Sequence, residues 1–194
     1  MPDPVRIAVV GPESSGKTTL VEYLRGWLTS HGLPVEVVAE QGRLLAERLP
    51  AGHPWSYREQ LATARMHRGA EAAAEVVLLT KPNPGVLLAD GTSATPLVWH
   101  LGAVRDRPGY EAGPPEVAEQ LLTEVQAADY DAVLIVAPDI PWRADGIRDD
   151  PSGRQAAFEQ YQVLFADSVV ISGDDREGQA TAVVRRLLSI SDTH

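Results

Sequence analysis

The stretch VRIAVVGPESSGKTTL, residues 5–20, decides the fold of this chain. A short apolar run leads into a loop that carries Gly11 and Gly16, and Lys17 and Thr18 follow directly. The spacing matches G-x-x-x-x-G-K-[ST], in which glycines let the backbone turn tightly and aim successive N–H groups at one anion. The apolar run predicts a buried strand, and a helix is predicted from the loop to about Ser30. The stretch therefore predicts a strand, a phosphate-binding loop and a helix.

Two side chains of this loop have expected chemical roles. Lys17 is expected to reach the terminal phosphates of a nucleotide, and the Thr18 hydroxyl to ligate Mg²⁺. The alternative is a glycine turn that precedes a helix by chance, but the pattern lies between a predicted strand and a predicted helix, which is the context that phosphate binding requires. Lys81, the only other lysine, lies in TKPNP and not in the N-K-x-D pattern of a guanine site. The small chain favours a small-molecule kinase that uses ATP and Mg²⁺.

The composition excludes several classes of protein. The chain has 194 residues, 44% of them hydrophobic and 23% charged, and we expect one domain over residues 1–194. A formal charge of −10 argues against a general nucleic-acid binder, and no apolar run approaches the roughly 18 residues of a membrane span. Cysteine is absent, which excludes disulfides and thiolate metal sites. With no signal-peptide pattern at the start, the expected location is the cytoplasm.

Alternating strand and helix patterns continue along the chain. Further strands are predicted at 35–39, 85–90, 132–137 and 168–172, and further helices at 56–80, 115–128 and 176–190. Near-continuous apolar runs of this kind are typical of parallel strands buried on both faces. Ser56 and Glu59 have the spacing of a capping box at the start of the second helix. The expected fold is an α/β domain with about five parallel strands flanked by helices.

Acidic residues follow three of the predicted strands. Glu40, Asp90 and Asp139 come at or just after strand ends that should open on the same crevice as the phosphate loop. A carboxylate there can hold Mg²⁺ or orient an attacking hydroxyl and accept its proton. Capping of the next helix is the alternative, more plausible for Asp90 than for Glu40.

A connection rich in arginine, proline and glycine spans residues 139–155 and is predicted to precede a helix. Its sequence, DIPWRADGIRDDPSGRQ, carries Arg143, Arg148 and Arg154. Arginines on a lid could close over transferring phosphates and exclude water. The alternative is a solvated loop in which neighbouring aspartates pair with the arginines.

These segments together resemble the ribosylnicotinamide kinase domain of NadR-type proteins, a branch of the P-loop kinases. The resemblance runs nearly end to end and is carried by GPESSGKTTL, EQGR, LLADGTSAT and, most specifically, PDIPWRADGIRDDPSGR. It implies ATP-dependent phosphorylation of the 5′-hydroxyl of a nucleoside by a five-stranded parallel core with a lid.

The resemblance also implies site residues. Those that would hold ATP and magnesium are Gly11, Glu13, Ser14, Ser15, Gly16, Lys17, Thr18, Thr19, Arg148 and Arg154, with Asp90 as a further magnesium contact. Those that would bind the nucleoside are Glu40, Arg43, Asp90, Trp142 and Asp145. Asp90 is the first choice for the base or hydroxyl orienter and Glu40 the second, while Lys17 and Arg148 would stabilise the transferring group.

The chain departs from the family at the third strand. The family typically reads D-T-D where this chain has Asp90, Gly91 and Thr92, so the second carboxylate is missing. Gln41 and Gly42 likewise alter an EYxR-like stretch. The substrate is accordingly either nicotinamide riboside or another ribonucleoside, such as a nucleoside natural product. An alternative of another class is an ATP-binding regulatory module that acts through a protein partner.

Overall fold

One parallel sheet forms the centre of the fold. The computed structural model describes residues 3–50, 52–103, 109–126, 128–143 and 152–190, and within them five strands pair in the order β2-β3-β1-β4-β5. The strands are β1 (Val5–Val10), β2 (Val35–Val38), β3 (Val86–Asp90), β4 (Ala132–Val136) and β5 (Val169–Ile171). The predicted α/β class and the five parallel strands are confirmed, with strand bounds within one or two residues of those expected.

Seven α-helices connect these strands within the described residues. They are α1 (Lys17–Ser30), α2 (Gln41–Arg48), α3 (Tyr57–Leu79), α4 (Ala94–Val98), α5 (Glu116–Gln126), α6 (Arg154–Leu164) and α7 (Arg176–Leu188), and a π-helical turn at Trp99–Ala103 extends α4. The sequence analysis missed α2. This helix buries only Gln41, so it lacks the apolar periodicity by which an amphipathic helix is recognised.

The sheet is covered on both faces, which explains its apolar strands. Ala8 and Val10 of β1 face a core shared with α3, α4, α5 and α6, whereas Ile7 and Val9 face a core shared with α1 and α7. All four side chains are fully buried. Burial of each large aliphatic side chain contributes about 1.5–3 kcal/mol. Because β1 is the central strand, the loop that follows it lies over the middle of the sheet, where connections diverge to both sides.

Local capping fixes where two helices begin. The Ser56 N–H and hydroxyl donate to Glu59 Oε2 at 2.7 and 2.6 Å, and Ser56 Oγ accepts the N–H of Arg58, so the predicted capping box is present. At α7, the Asp175 carboxylate accepts the N–H of Gly178 at 3.1 Å. Each cap satisfies backbone donors that the first helical turn leaves without partners.

A buried carboxylate lies at the end of the sheet away from the phosphate loop. Glu71 on α3 is 1% exposed, and its Oε1 accepts the hydroxyl of Tyr130. Its Oε2 accepts from Arg6 and Arg68, each at 3.2 Å, and Nε2 of His67 lies 3.4 Å from Oε1. Burial alone would raise the pKa of Glu71, but His67 foremost, with Tyr130 and Arg6, outweighs burial and holds that pKa below its ordinary value.

Glu71→Gln is expected to destabilise the fold by on the order of 3 kcal/mol at pH 7, because it leaves the partly buried guanidinium groups of Arg6 and Arg68 without their counter-charge. The pKa of Glu71 is lowered on folding, so its contribution is present above the ordinary value of 4.5 and is lost as the pH falls through the folded value. Urea unfolding should therefore show a gap between wild type and variant that narrows on acidification. Glu119→Gln, an exposed change on α5, is the control and should show no such gap. A gap that does not change with pH would contradict this account.

Candidate active site

The backbone of the phosphate loop is shaped by glycine and by left-handed residues. Gly11 has φ 144°, and a Cβ there would lie 2.5 Å from the carbonyl oxygen of Val136, so only glycine fits. Ser14 and Gly16 also have positive φ, 52° and 90°. Successive N–H groups in such a backbone form a concavity that binds anions. Among the described residues, the N–H groups of Ser14, Ser15 and Gly16 have no hydrogen-bond acceptor.

Lys17 lies inside this loop. Its side chain is 9% exposed, and its ammonium donates to the carbonyl of Pro12 at 2.7 Å. The same carbonyl accepts the hydroxyl of Ser15 at 2.8 Å. The positive charge of Lys17 is therefore held beside the concavity that the N–H groups form.

Thr18 in the first turn of α1 and Asp90 at the end of β3 are in direct contact. Asp90 pairs with Val9 in the sheet, and the Thr18 hydroxyl donates to Asp90 Oδ2 at 2.6 Å. Asp90 is 5% exposed, and its buried Oδ1 has no hydrogen-bond donor among the described residues. The capping alternative for Asp90 is wrong, since α4 begins at Ala94 and has Ser93 as its N-cap residue.

Burial is the main cause of an altered acidity at Asp90. Desolvation raises the pKa of this carboxyl group above its ordinary value, and the nearby charge of Glu40 adds to the rise. The hydrogen bond from Thr18 and the charges of Lys17 and Arg43 oppose it. A carboxylate with a raised pKa is a better proton acceptor at neutral pH than an exposed aspartate.

The end of β2 brings Glu40 and Arg43 towards the loop. Glu40 is the N-cap residue of α2, yet its side chain makes no capping hydrogen bond. Gln41, which is buried, donates from its amide to the carbonyl of Ala39 at 2.8 Å and fixes the turn between β2 and α2. Glu40 lines the cleft and does not cap α2 with its side chain, as its poor capping propensity predicts.

A cleft of about 590 Å³ connects these groups. Its lining residues are Glu13, Ser14, Ser15, Gly16, Lys17, Thr18, Thr19, Glu40, Arg43, Ile140, Pro141, Trp142 and Arg143. Of the predicted site residues, Gly11, Asp90 and Arg154 are not part of this lining, and Asp145 and Arg148 lie outside the described residues. The structure thus brings the phosphate loop, Trp142 and the Glu40–Arg43 turn together around one volume.

Comparison with known proteins identifies the family. Residues 6–167 match the family model described as AAA domain. The chain belongs to the AAA domain family. The solved structures that share the fold include a NadR protein in complex with NAD and AMP-PNP (TM-score 0.68, 18% identity) and a NadR protein in complex with NR (TM-score 0.69, 20% identity). Each comparison covers 98% of this chain but only 51% and 53% of the NadR chains, so this AAA domain spans about half their length. No protein of curated function matches the sequence significantly.

Arg154, the first residue of α6, contacts the phosphate loop of this AAA domain. Its guanidinium donates to the carbonyls of Glu13 at 3.1 Å, Ser14 at 3.2 Å and Ile140 at 3.2 Å. The N–H of Arg143 donates to the Ser14 hydroxyl at 2.8 Å. The loop and the arginine-bearing connection are therefore in direct contact, and a role of Arg154 as a lid cation stays a prediction.

Arg176 is a second arginine at the loop, and the sequence analysis missed it. Its guanidinium donates to the carbonyls of Ser15, of Ala137 at 3.2 Å and of Gly173 at 3.1 Å, and it pairs with the Asp139 carboxylate. Asp139 Oδ2 also accepts the N–H of Gly173 at 2.6 Å. Asp139 is therefore directed towards Arg176 and not towards the Thr18–Asp90 pair. Nothing in the local sequence signals a contact between residues 161 positions apart.

Thr92, the last residue of the Asp90–Gly91–Thr92 stretch, does not line the cleft. It is 2% exposed, and its hydroxyl accepts the N–H of Ala94 at 3.1 Å. Thr92 therefore serves the turn that begins α4.

The residues present fit a magnesium ion. The Thr18 hydroxyl and the Asp90 carboxylate, with its unpartnered Oδ1, are the hard oxygen donors that Mg²⁺ prefers. No group of three or more His, Cys, Asp or Glu side chains suited to a metal occurs in the described part of the chain. That is consistent with an ion held mostly by phosphate and water, as Mg²⁺ usually is at nucleotide sites. Within the same ranges, no helix is long and apolar enough to cross a membrane.

Proposed function

We propose that this AAA domain is a kinase that transfers the γ-phosphoryl group of ATP to the 5′-hydroxyl of a nucleoside similar to nicotinamide riboside. One observation carries the proposal: the phosphate loop and the Glu40–Arg43 turn line one cleft, and the lining residue Thr18 is hydrogen-bonded to Asp90. The cleft beside the phosphate loop is therefore also next to two carboxylates, Glu40 and Asp90, that could act on a second substrate.

The loop supplies the ATP end of the reaction. The N–H groups of Ser14, Ser15 and Gly16 and the ammonium of Lys17 would neutralise the β- and γ-phosphates. Thr18 and Asp90 would hold Mg²⁺, which supplies additional positive charge to the transferring group when bound. Since phosphoryl transfer asks little covalent chemistry of the protein, positioning and charge neutralisation are its main contributions.

Asp90 is proposed to act on the acceptor hydroxyl, with Glu40 second. Burial raises the pKa of Asp90, which suits a group that accepts a proton as the hydroxyl oxygen forms its bond to phosphorus. Arg43 and Trp142 line the cleft, where a guanidinium and an indole could contact the ribose and the base. Asp145 belongs to the proposal through the family resemblance alone.

The nature of the acceptor follows from the relatives and from charge. One similar NadR structure holds NR, and the other holds NAD and AMP-PNP. A cationic base such as the pyridinium of nicotinamide riboside would find negative charge at Glu40. Other ribonucleosides remain the second choice, since identity to the NadR structures is only 18–20%.

A nucleoside panel tests the proposed function. Purified protein is incubated with MgATP and one nucleoside at a time, ADP release is measured, and the product is identified by mass spectrometry. The expected result is ADP release only with certain nucleosides and a product heavier by one phosphoryl group. ADP release that needs no nucleoside, or that responds only to a protein partner, would overturn the kinase assignment.

Arg154→Ala is expected to lower kcat about 10-fold or more in the reaction found with that panel, and Arg148→Ala similarly. Both arginines are proposed as lid cations that close over the phosphates and exclude water. Steady-state kinetics measure the effect, and Arg65→Ala, an exposed change on α3, is the control. A lower melting temperature with unchanged kcat would assign Arg154 to stability alone.

A further inference from the structure

The peptide between Ser15 and Gly16 directs its carbonyl to one side of the phosphate loop and its N–H to the other. In a trans peptide the C=O and N–H bonds point in opposite directions, and no cis peptide occurs in the described residues. Arg176 binds the carbonyl of Ser15, so the N–H of Gly16, which belongs to the same peptide, points away from Arg176. Ser15 and Gly16 both line the cleft, and the N–H of Gly16 has no acceptor among the described residues.

Without a partner on its carbonyl, this peptide could rotate at little steric cost. Rotation of the 15–16 peptide changes ψ of Ser15 and φ of Gly16, and glycine adopts either sign of φ at little steric cost. A rotated peptide would turn the Ser15 carbonyl oxygen towards the cleft. The phosphates would then face the negative end of the peptide dipole in place of its N–H donor.

Several acceptors besides the Ser15 carbonyl hold Arg176 in place. Its side chain is 14% exposed, and three further acceptors fix the guanidinium: the carbonyls of Ala137 and Gly173 and the carboxylate of Asp139. Asp139 is itself held by the N–H of Gly173 at 2.6 Å. The ends of β4 and β5 therefore support the orientation of one peptide in the loop after β1.

We propose that Arg176, supported by Asp139, is a positioning residue that fixes the Ser15–Gly16 peptide with its N–H towards the phosphates. The proposal rests on nucleotide binding at this loop and is independent of which acceptor is phosphorylated. A planar guanidinium reaches several carbonyls and a carboxylate at once, whereas a lysine ammonium is a single point charge. Loss of the guanidinium should therefore weaken binding of phosphate groups specifically.

Calorimetric titration of five variants, four single and the Arg176→Gln/Asp139→Asn double, with Mg²⁺-tripolyphosphate, MgADP and MgATP tests this. Arg176→Gln is expected to raise Kd for all three ligands about 10-fold or more. Without the guanidinium the peptide would direct its N–H towards the anion only part of the time and its carbonyl oxygen for the rest. Arg176→Lys should give an intermediate Kd, and Asp139→Asn a smaller rise that is not additive with Arg176→Gln. Arg186→Gln, an exposed change on the same helix, is the matched control and should bind as wild type does.

Amide NMR of the free protein separates this role from a merely structural one. In Arg176→Gln the Gly16 amide resonance should shift or broaden, while the core amides of β1 and β3 keep their positions. Unchanged Kd values in Arg176→Gln, or a Kd for Arg176→Lys equal to wild type, would overturn the proposal. A general loss of core resonances with weakened binding would assign Arg176 to stability and also overturn it. Failure of the wild type to bind any of the three ligands would overturn the proposed function as well.

Discussion

Lys17→Ala is expected to lower phosphoryl-transfer turnover by on the order of 10²-fold or more while the fold persists. The ammonium of Lys17 lies inside the phosphate loop, where it is proposed to neutralise the β- and γ-phosphates. The only other lysine of the chain is Lys81. The fold should persist because the Pro12 carbonyl keeps the Ser15 hydroxyl as a donor after the ammonium is removed. Coupled measurement of ADP release gives kcat, and thermal unfolding monitors the fold.

The other lysine of the chain is the control for this experiment. Lys81 is exposed and lies just beyond the end of α3, so Lys81→Ala should leave both turnover and stability near wild type. Near-normal transfer by Lys17→Ala would remove the phosphate loop from the mechanism. A large loss in Lys81→Ala would mean that the assay responds to something other than the proposed site.

Asp90→Asn is expected to lower kcat by on the order of 10²-fold or more with ATP binding largely retained. The amide oxygen can still accept the Thr18 hydroxyl, so the geometry persists while the charge and the proton acceptor are lost. Kinetics and a separate measurement of the Kd for ATP distinguish loss of chemistry from loss of binding. Asp129→Asn, an exposed change before β4, is the control. Full activity of Asp90→Asn would show that the carboxylate has no part in catalysis.

The same substitution should raise stability at neutral pH. Burial raises the pKa of Asp90, so folding favours the neutral form, and ionisation of this group costs stability as the pH rises above its ordinary value of 3.8. Asparagine is neutral at every pH. A gain on the order of 1 kcal/mol would raise the melting temperature by about 2–4 °C for a chain of this size. That gain should be present at pH 7.5 and vanish near pH 3.5, so a variant less stable than wild type at pH 7.5 would contradict the role assigned to burial.

The contrast between loss of activity and gain of stability would itself be informative. Replacing a residue that serves the fold lowers both the activity and the stability of the protein. Replacing a buried charged residue that serves catalysis lowers the activity but raises the stability, because the cost of burying the charge is removed. Glu71 is the comparison within the same chain. Its carboxylate is equally buried but is surrounded by donors and positive charge, so its replacement should destabilise.

The sequence by itself determined the features that depend on neighbours along the chain. The glycine spacing at 11 and 16 predicts the loop because backbone torsions are local, and the Ser56–Glu59 cap follows from contacts three residues apart. The inner strands β1, β3 and β4 were predicted because burial on both faces requires a continuous apolar run. The helix α2 was missed because it shows almost no buried face.

Only the tertiary structure decided which groups meet at the site. The Thr18–Asp90 bond joins residues 72 positions apart, and the Arg176–Ser15 bond joins residues 161 apart. Sequence reasoning placed Asp90 near the loop because parallel strands end at one edge, but it could not give Asp90 its burial or its partner. It gave no reason to select Arg176, because an arginine at the start of a helix is common. Arg176 reaches the phosphate loop only because the sheet places the ends of β4 and β5 beside that loop. Side-chain partners depend on the order of the strands, and no short stretch of sequence encodes that order.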